Sequence, residues 1–184
     1  MALRRANSYS KKHVVPYTRK SKQKKKAFIK TVPPQSIVKF TMGVETLYNQ
    51  GKLPFTLTMI SDDNVQIRAN ALEACRQYIN KKMEKDFLGQ YLFKVLPYPH
   101  HIQRENKMLT GAGSDRMQTG MQLSFGKAIA RAAIVNKGGR IFFLALPNKK
   151  AEQISRKFLH KISAKLPCRT RIISEEIKTV QPIV

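Results

Sequence analysis

The sequence predicts an α+β protein with a mainly antiparallel sheet and two helices. Short segments with apolar residues at every second position predict strands, and two longer segments with apolar residues every three or four positions predict helices. Their order is strand, strand, helix, strand, long polar segment, two or three strands, helix and strand. Because this order is not a regular βαβ alternation, the helices are expected to cover one side of the sheet and to leave the other side or an edge for a partner.

The first half of the folded region predicts two strands and a helix. Ile37–Met42 and Phe55–Ile60 have strand character, the second with clear period two. From Val65 to Met83 apolar residues recur at helical spacing, with Asp62 and Asp63 directly before them. Acidic groups at a helix start complement its dipole and can cap free amides. A helix is therefore predicted to begin near residue 65.

The second half predicts further strands and the second helix. Arg140–Leu146 is almost entirely apolar after its first residue, which is typical of a central strand buried on both faces. Apolar positions from Ala151 to Ile162 predict a helix that ends before Pro167, since proline disfavours helix in the residue preceding it. The strands predicted in this half are Tyr91–Leu96, Met121–Phe125, Ala128–Val135, Arg140–Leu146 and Cys168–Ile173.

Charge is the strongest functional signal in the composition. The chain has 35 Lys and Arg against 11 Asp and Glu, a formal net charge of +24 and a sequence pI near 10.4. So large a like charge repels itself unless counter-charge is bound, and a pI above about 9 indicates a polyanion partner such as nucleic acid.

The basic residues are concentrated near the N-terminus, where no acidic residue occurs before Glu45. Few apolar residues precede Ile37, so residues 1–36 are predicted to be a basic, irregular nucleic-acid-binding arm. Residues 37–175 are predicted to form one α+β domain, and residues 176–184 a tail. A solvated or targeting tail is the alternative for the arm. The candidate RNA-binding residues are Arg4, Arg5, Lys11, Lys12, Arg19, Lys20, Lys22, Lys24, Lys25, Lys26, Lys127 and Arg131.

The polar segment His100–Gly126, HHIQRENKMLTGAGSDRMQTGMQLSFG, is predicted to be a functional loop. Structureless segments longer than about 12–15 residues are uncommon in compact domains and are usually functional or disordered. Basic side chains in it can reach phosphates, histidines can stack or hydrogen-bond, and glycines allow close backbone approach. A surface loop without a ligand is the alternative. The candidate residues of this loop are His100, His101, Arg104, Lys107, Gly111, Gly113 and Arg116.

Catalytic and cofactor motifs are incomplete in the sequence. The GAGSDR stretch lacks the third glycine and the strand-to-helix context of a dinucleotide fingerprint. His100 and His101 are adjacent and would face opposite sides of a strand, which does not suit chelation of one metal. Cys75 and Cys168 form no C-x-x-C pattern and are predicted to be buried free thiols. We therefore expect no catalytic residues, metal, cofactor or small-molecule substrate.

Membrane and export signals are also not evident. No run approaches the roughly 18 apolar residues of a membrane span, and the N-terminus lacks the apolar core of a signal peptide. The protein is predicted to stay inside the cell, without a membrane partner.

The loop and several other segments resemble a known family. PHHIQRENKMLTGAGSDRMQTGM followed by FGK is similar to the large-subunit ribosomal protein family called L-sixteen in bacteria and L-ten-e in archaea and eukaryotes. MALR, VPYTRK, IVKFTMG, NALEACR and KLPCRTRI extend the similarity over most of the chain. The length, without a long C-terminal extension, is more like the archaeal branch.

The resemblance implies an α/β-hammerhead-like fold and a structural, non-enzymatic role in the ribosome, in the cytoplasm. It implies that the chain binds large-subunit ribosomal RNA near the A and P sites, beside neighbouring ribosomal proteins. It also implies that the loop matching residues 101–121 points towards the peptidyl-transferase centre and the acceptor end of P-site transfer RNA. Two other functions are kept open by the residues alone: an RNA-modifying or nucleotide-using enzyme, and a general nucleic-acid-binding architectural protein.

Overall fold

The computed structural model describes residues 5–11, 29, 31–106 and 126–177, and these residues form two antiparallel sheets and three helices. This confirms the α+β class and the mainly antiparallel pairing. Two helices were predicted, and the third is the short α1, which has no buried residue to give a helical pattern. The helices are α1 (Glu45–Asn49), α2 (Ala69–Phe87) and α3 (Lys149–Ser163). The strands are β1 (Thr41–Gly43), β2 (Phe55–Ser61), β3 (Val65–Arg68), β4 (Leu92–Val95), β5 (His101–Glu105), β6 (Lys127–Val135), β7 (Arg140–Leu146) and β8 (Thr170–Glu176).

The larger sheet has five strands in the order β1-β4-β7-β2-β8. β7 lies at its centre and pairs with β2 and β4, and Ile141, Phe142 and Leu144 are buried there. The prediction of a buried central strand at Arg140–Leu146 is thus confirmed. β8 forms one edge of this sheet, paired with β2 in an unbroken antiparallel register.

The smaller sheet has three strands in the order β3-β6-β5. Its existence corrects the helix predicted to begin near residue 65, because Val65–Arg68 is strand β3 and the helix begins at Ala69. Val65 lies at helical spacing before Ala69, but Val65 and Ile67 also alternate as in a strand, and pairing with β6 decides between the two. Asp62 and Asp63 do not cap the helix. Asp63 Oδ2 instead accepts a hydrogen bond from the Arg169 backbone N–H at 3.0 Å.

Three other predicted boundaries were wrong. The loop predicted from residue 100 begins later, because His101–Glu105 is strand β5. The first strand covers only Thr41–Gly43, and the last one, Thr170–Glu176, begins and ends later than predicted. The strand predicted at residues 121–125 lies outside the described residues.

The two sheets share one apolar core with α2 and α3. Leu72, Cys75, Ile79 and Met83 of α2 are fully buried at helical spacing, as is Leu159 of α3. Burying a Leu, Ile or Met side chain contributes about 1.5–3 kcal/mol. This layer packs the small sheet against the large one. Within the part of the chain that the structure describes, no helix is long and apolar enough to cross a membrane.

Candidate nucleic-acid interface

The small sheet determines where the predicted loop leaves the fold. β5 ends at Glu105 and β6 begins at Lys127, and these two residues are paired across the antiparallel ladder. Residues 106–126 therefore leave and re-enter the domain at one end of the small sheet. Lys127 is exposed there, next to the point of exit.

The two faces of the small sheet differ in chemistry. Val65 and Ile67 of β3 and Ala133 and Val135 of β6 face the apolar core. The alternate residues occupy the opposite face, because successive side chains of a strand point to opposite sides. This opposite face carries buried polar side chains, which are Gln66, Arg68, His101, Gln103 and Glu105.

A hydrogen-bond network connects these polar side chains across the sheet. Gln103 Nε2 donates to Gln66 Oε1 at 3.2 Å, and Arg68 Nε donates to Gln103 Oε1 at 3.0 Å. Buried polar groups are costly unless they are paired, so the network fixes the side-chain positions relative to one another. It thereby joins the outer strands β3 and β5 across β6.

The described part of the basic N-terminal segment lies on this polar face. The Tyr9 hydroxyl donates to Glu105 Oε1 at 3.2 Å, and its ring lies 5.4 Å below the Arg68 guanidinium carbon. The Gln66 backbone N–H donates to the Ser10 carbonyl at 2.9 Å, and Lys11 forms a bridge with Val65. Residues 5–11 therefore pack on the same sheet from which residues 106–126 leave and to which they return.

The predicted site residues in the described part of the chain differ in solvent exposure. The side chains of Arg5, Lys11, His100 and Lys127 are exposed, whereas Arg104 and Arg131 are half-buried. Arg131 Nε donates to the Pro33 carbonyl at 2.8 Å, so part of its guanidinium holds the segment before β1. The predicted residues outside the described parts are Arg4, Lys12, Arg19, Lys20, Lys22, Lys24, Lys25, Lys26, Lys107, Gly111, Gly113 and Arg116.

The two adjacent histidines face opposite ways, as predicted for a strand. His100 is exposed, and its Nδ1 lies 2.9 Å from the Tyr98 carbonyl oxygen. His101 is only 1% exposed and belongs to the polar face of the small sheet. His100 is therefore accessible to a partner in this structure, whereas His101 is buried and supports the base of the loop.

The sequence interpretation missed the polar network itself. The helix predicted to begin near residue 65 would include Arg68, but Arg68 is the last residue of β3 and is buried. Part of the signal was present, because VQIR alternates apolar and polar residues and HIQRE is polar at every position except Ile102. Polar residues at alternate positions of two strands can share one face, which the pairing of both strands with β6 brings about.

The cysteines show no sign of reactivity. Both are free, Cys75 buried and Cys168 half-buried. Burial raises the pKa of the Cys75 thiol to about 12 and also raises the pKa of Cys168. A thiol with a raised pKa is protonated at neutral pH and is a poor nucleophile and metal ligand. Among the described residues no group of three or more His, Cys, Asp or Glu could hold a metal ion.

The fold and the candidate site define a class of protein: a basic α+β protein in which residues 5–11 pack on a small sheet and residues 106–126 connect two strands of that sheet. Residues 15–173 match the family model described as ribosomal protein L16p/L10e. Because the match covers most of the sequence, the chain belongs to this family. It is a structural protein of the large ribosomal subunit and not an enzyme, and its location is the ribosome, in the cytoplasm.

Relatives from several archaea agree with this assignment. The large ribosomal subunit protein uL16 of Nanoarchaeum equitans is 37% identical over 184 residues, covering 98% of this chain and 97% of the relative. The protein of the same name from Methanococcus maripaludis is 38% identical over 175 residues, covering 94% of each. That of Sulfolobus acidocaldarius is 38% identical over 176 residues, covering 94% of this chain and 93% of the relative.

Proposed function

We propose that the chain binds large-subunit ribosomal RNA near the A and P sites and helps to position transfer RNA near the peptidyl-transferase centre. The arm and the domain are fixed on ribosomal RNA mainly by Lys and Arg contacts to phosphates, while the loop extends towards transfer RNA. The observation that carries the proposal is the pairing of Glu105 with Lys127, which holds both ends of residues 106–126 at one end of a rigid sheet.

The charge distribution supports the first half of the proposal. A net charge of +24 and twelve basic residues before residue 40 favour binding to RNA phosphates, which is largely independent of base sequence. Tyr9 and residues 10–11 attach the arm to β3 and β5, so phosphate binding by the arm also positions the base of the loop. We expect the chain to contain a single folded domain, residues 37–175, preceded by the arm, residues 1–36, and followed by a tail, residues 176–184.

The composition of the loop supports the second half. Lys107 and Arg116 can contact phosphates, and Gly111 and Gly113 permit close approach of the backbone to an RNA surface. His100, exposed directly before β5, can stack on a base or donate a hydrogen bond. These groups suit contact with a second RNA better than they suit a packed protein interface.

Loop replacement tests the role of residues 106–126. We expect that joining Glu105 to Lys127 through an Asn-Gly turn leaves the fold intact, because paired strand ends suit a two-residue hairpin. Large subunits carrying this variant should assemble but transfer peptide more slowly from P-site transfer RNA. The measurements are thermal unfolding of the free chain and single-turnover peptide transfer. An unfolded variant would make the loop structural, and a normal transfer rate would refute the positioning role.

A matched pair of double variants tests whether charge in the loop acts by location. Lys107→Ala with Arg116→Ala removes two positive charges from the loop, and Lys81→Ala with Lys85→Ala removes two from the exposed side of α2. Peptide transfer should slow with the first pair and stay near normal with the second. Equal effects of the two pairs would indicate a general effect of net charge.

The alternative of a general nucleic-acid-binding architectural protein makes a different prediction. Such a protein would bind duplex DNA and large-subunit ribosomal RNA with similar affinity, because phosphate contacts carry no sequence information. We expect ribosomal RNA fragments to compete with labelled ribosomal RNA far better than duplex DNA does at equal salt. The favouring observation for RNA is membership of the ribosomal protein family.

A further inference from the structure

We infer that the outer edge of β8 is a docking site for an extended, lysine-rich segment of another protein of the large subunit, which adds a strand to the five-stranded sheet. The inference depends on the family membership of the chain and is independent of the loop proposal.

The hydrogen-bond pattern shows which backbone groups point outward from β8. The Ile177 N–H donates to the Pro54 carbonyl, and the Asp62 N–H donates to the Arg169 carbonyl. The β2–β8 register is unbroken, so the same hydrogen-bonded pairing repeats at every second residue between these two bonds. The backbone N–H and C=O groups that point towards β2 are therefore those of residues 169, 171, 173, 175 and 177. The intervening residues direct their N–H and C=O groups away from the sheet. They are Thr170, Ile172, Ser174 and Glu176.

This outward row is accessible in the described part of the chain. No described strand pairs with β8 on that side, and all residues from Ile173 to Glu176 are exposed. An edge strand of seven residues is long enough to template pairing with another extended chain. The edge of β3, in contrast, is bridged by Lys11, and the edge strand β1 has only three residues.

Acidic side chains are concentrated at this edge, where Arg156, Arg169 and Arg171 also lie. Five of the chain's 11 Asp and Glu residues lie in β8 or beside it, which are Asp62, Asp63, Glu152, Glu175 and Glu176. Asp62 is bound by Arg171 at 2.6 Å, and Asp63 accepts the Arg169 N–H. No described residue bonds to the side chains of Glu175 and Glu176, so these carboxylates are available to an incoming cation.

The two available carboxylates lie on both faces of the strand. Glu176 shares its face with Ser174, whose hydroxyl donates to Glu152 Oε1 of α3 at 2.7 Å. Glu175 lies on the opposite face with the exposed Ile173 and Ile177. A segment with basic residues on both faces of a strand, separated by apolar or β-branched residues, would complement this arrangement.

Two other occupants fit less well. RNA would bring phosphates against Glu175 and Glu176, and like charges at short distance are repelled. A second copy of the chain would bring another net charge of +24 to the same place. A basic peptide segment is attracted by the carboxylates and can satisfy the outward backbone groups as well.

Zero-length cross-linking of intact large subunits tests the inference. A carbodiimide joins a carboxylate directly to an amine in contact with it, so Glu175 or Glu176 should be linked to a lysine of another ribosomal protein. Mass spectrometry identifies the linked peptide. Links only to lysines of this chain or of a second copy of it, or no link at all, would overturn the inference.

Proline and alanine at one position separate strand pairing from charge attraction alone. Ser174→Pro removes an outward N–H without removing a β2 hydrogen bond, whereas Ser174→Ala keeps the N–H and removes only the hydroxyl bonded to Glu152. The cross-link yield should fall about tenfold or more with Ser174→Pro and stay near normal with Ser174→Ala. Unchanged yield with a folded Ser174→Pro variant would exclude strand addition.

A charge-reversal variant keeps the test decisive if Ser174→Pro does not fold. Glu175→Lys with Glu176→Lys changes only exposed side chains and should leave unfolding temperature nearly unchanged. Large subunits with this variant should lose the cross-linked protein at lower salt than normal subunits do. Equal retention of that protein would contradict a basic segment on this edge.

Discussion

Tyr9 is the residue that connects the basic N-terminal segment to the strand leading into the loop. Its hydroxyl donates to the buried carboxylate of Glu105, the last residue of β5, and its ring lies beneath Arg68. Glu105 and Arg68 are both less than 7% exposed, so their charges depend on protein partners rather than on water. One aromatic side chain thus contributes a hydrogen bond and a cation–π contact to the same buried network.

Removal of the Tyr9 hydroxyl should destabilise the domain. Tyr9→Phe keeps the ring over Arg68 but deprives the Glu105 carboxylate of a donor, and we expect a loss of about 1–3 kcal/mol in the free energy of unfolding. Urea denaturation measures it. Tyr98→Phe is the matched control, because the exposed Tyr98 ring stacks on Phe40 and no described residue bonds its hydroxyl. A cost for Tyr9→Phe no larger than for Tyr98→Phe would mean that the network does not depend on this contact.

Among the secondary-structure elements, β1 depends on an unusually close backbone contact. At Gly43, the last residue of β1, φ is +86°, and an added Cβ would lie 2.0 Å from the Tyr91 carbonyl oxygen. The Val44 N–H donates to that same carbonyl at 2.9 Å. Glycine therefore allows the chain to turn from β1 into α1 while it stays against β4.

Two glycine substitutions with similar φ separate backbone strain from steric clash. Gly43→Ala should lower the free energy of unfolding by roughly 3–5 kcal/mol, because both the left-handed conformation and the clash with Tyr91 disfavour a side chain. At Gly89 φ is +81° and nothing lies within 4 Å of an added Cβ. Gly89→Ala should therefore lower the free energy of unfolding by about 1–2 kcal/mol, from the left-handed conformation alone. Equal costs in urea denaturation would show that the chain near Tyr91 relaxes around the new methyl group.

The same elements show what the sequence could predict. β7 and α3 were predicted nearly to the residue, since long apolar runs and helical spacing are strong local signals. β3 was mistaken for the first turn of a helix, because Val65 lies four positions before Ala69 and extends the helical spacing of α2, and only pairing with β6 decides. In the site, charge and resemblance indicated the arm and the loop. The Tyr9–Glu105 contact joins residues 96 positions apart, so no local pattern could indicate it.

For the whole molecule, the uneven distribution of charge is the main physical feature. Basic residues dominate the N-terminal segment, whereas five of the 11 acidic residues lie in or beside β8. The proposed RNA-facing arm and the proposed protein-facing edge therefore differ in their content of Asp and Glu. The net charge of the chain does not show which surface binds RNA. The salt dependence of RNA binding does, because contacts with phosphates release condensed counterions.

The salt dependence of RNA binding should therefore be steep and should depend on the arm. If about ten phosphates are neutralised, log affinity should fall with log salt at a slope of roughly 7 to 9, and a slope near 2 would contradict the arm's role. Changing Lys22, Lys24, Lys25 and Lys26 to Gln should lower the slope by about 3. Changing Lys81, Lys85, Lys149 and Lys150 to Gln makes the same change in net charge, from +24 to +20, on exposed positions of α2 and α3. A smaller change in slope for this second set would locate the phosphate contacts in the arm, because a purely global attraction would respond equally to both sets.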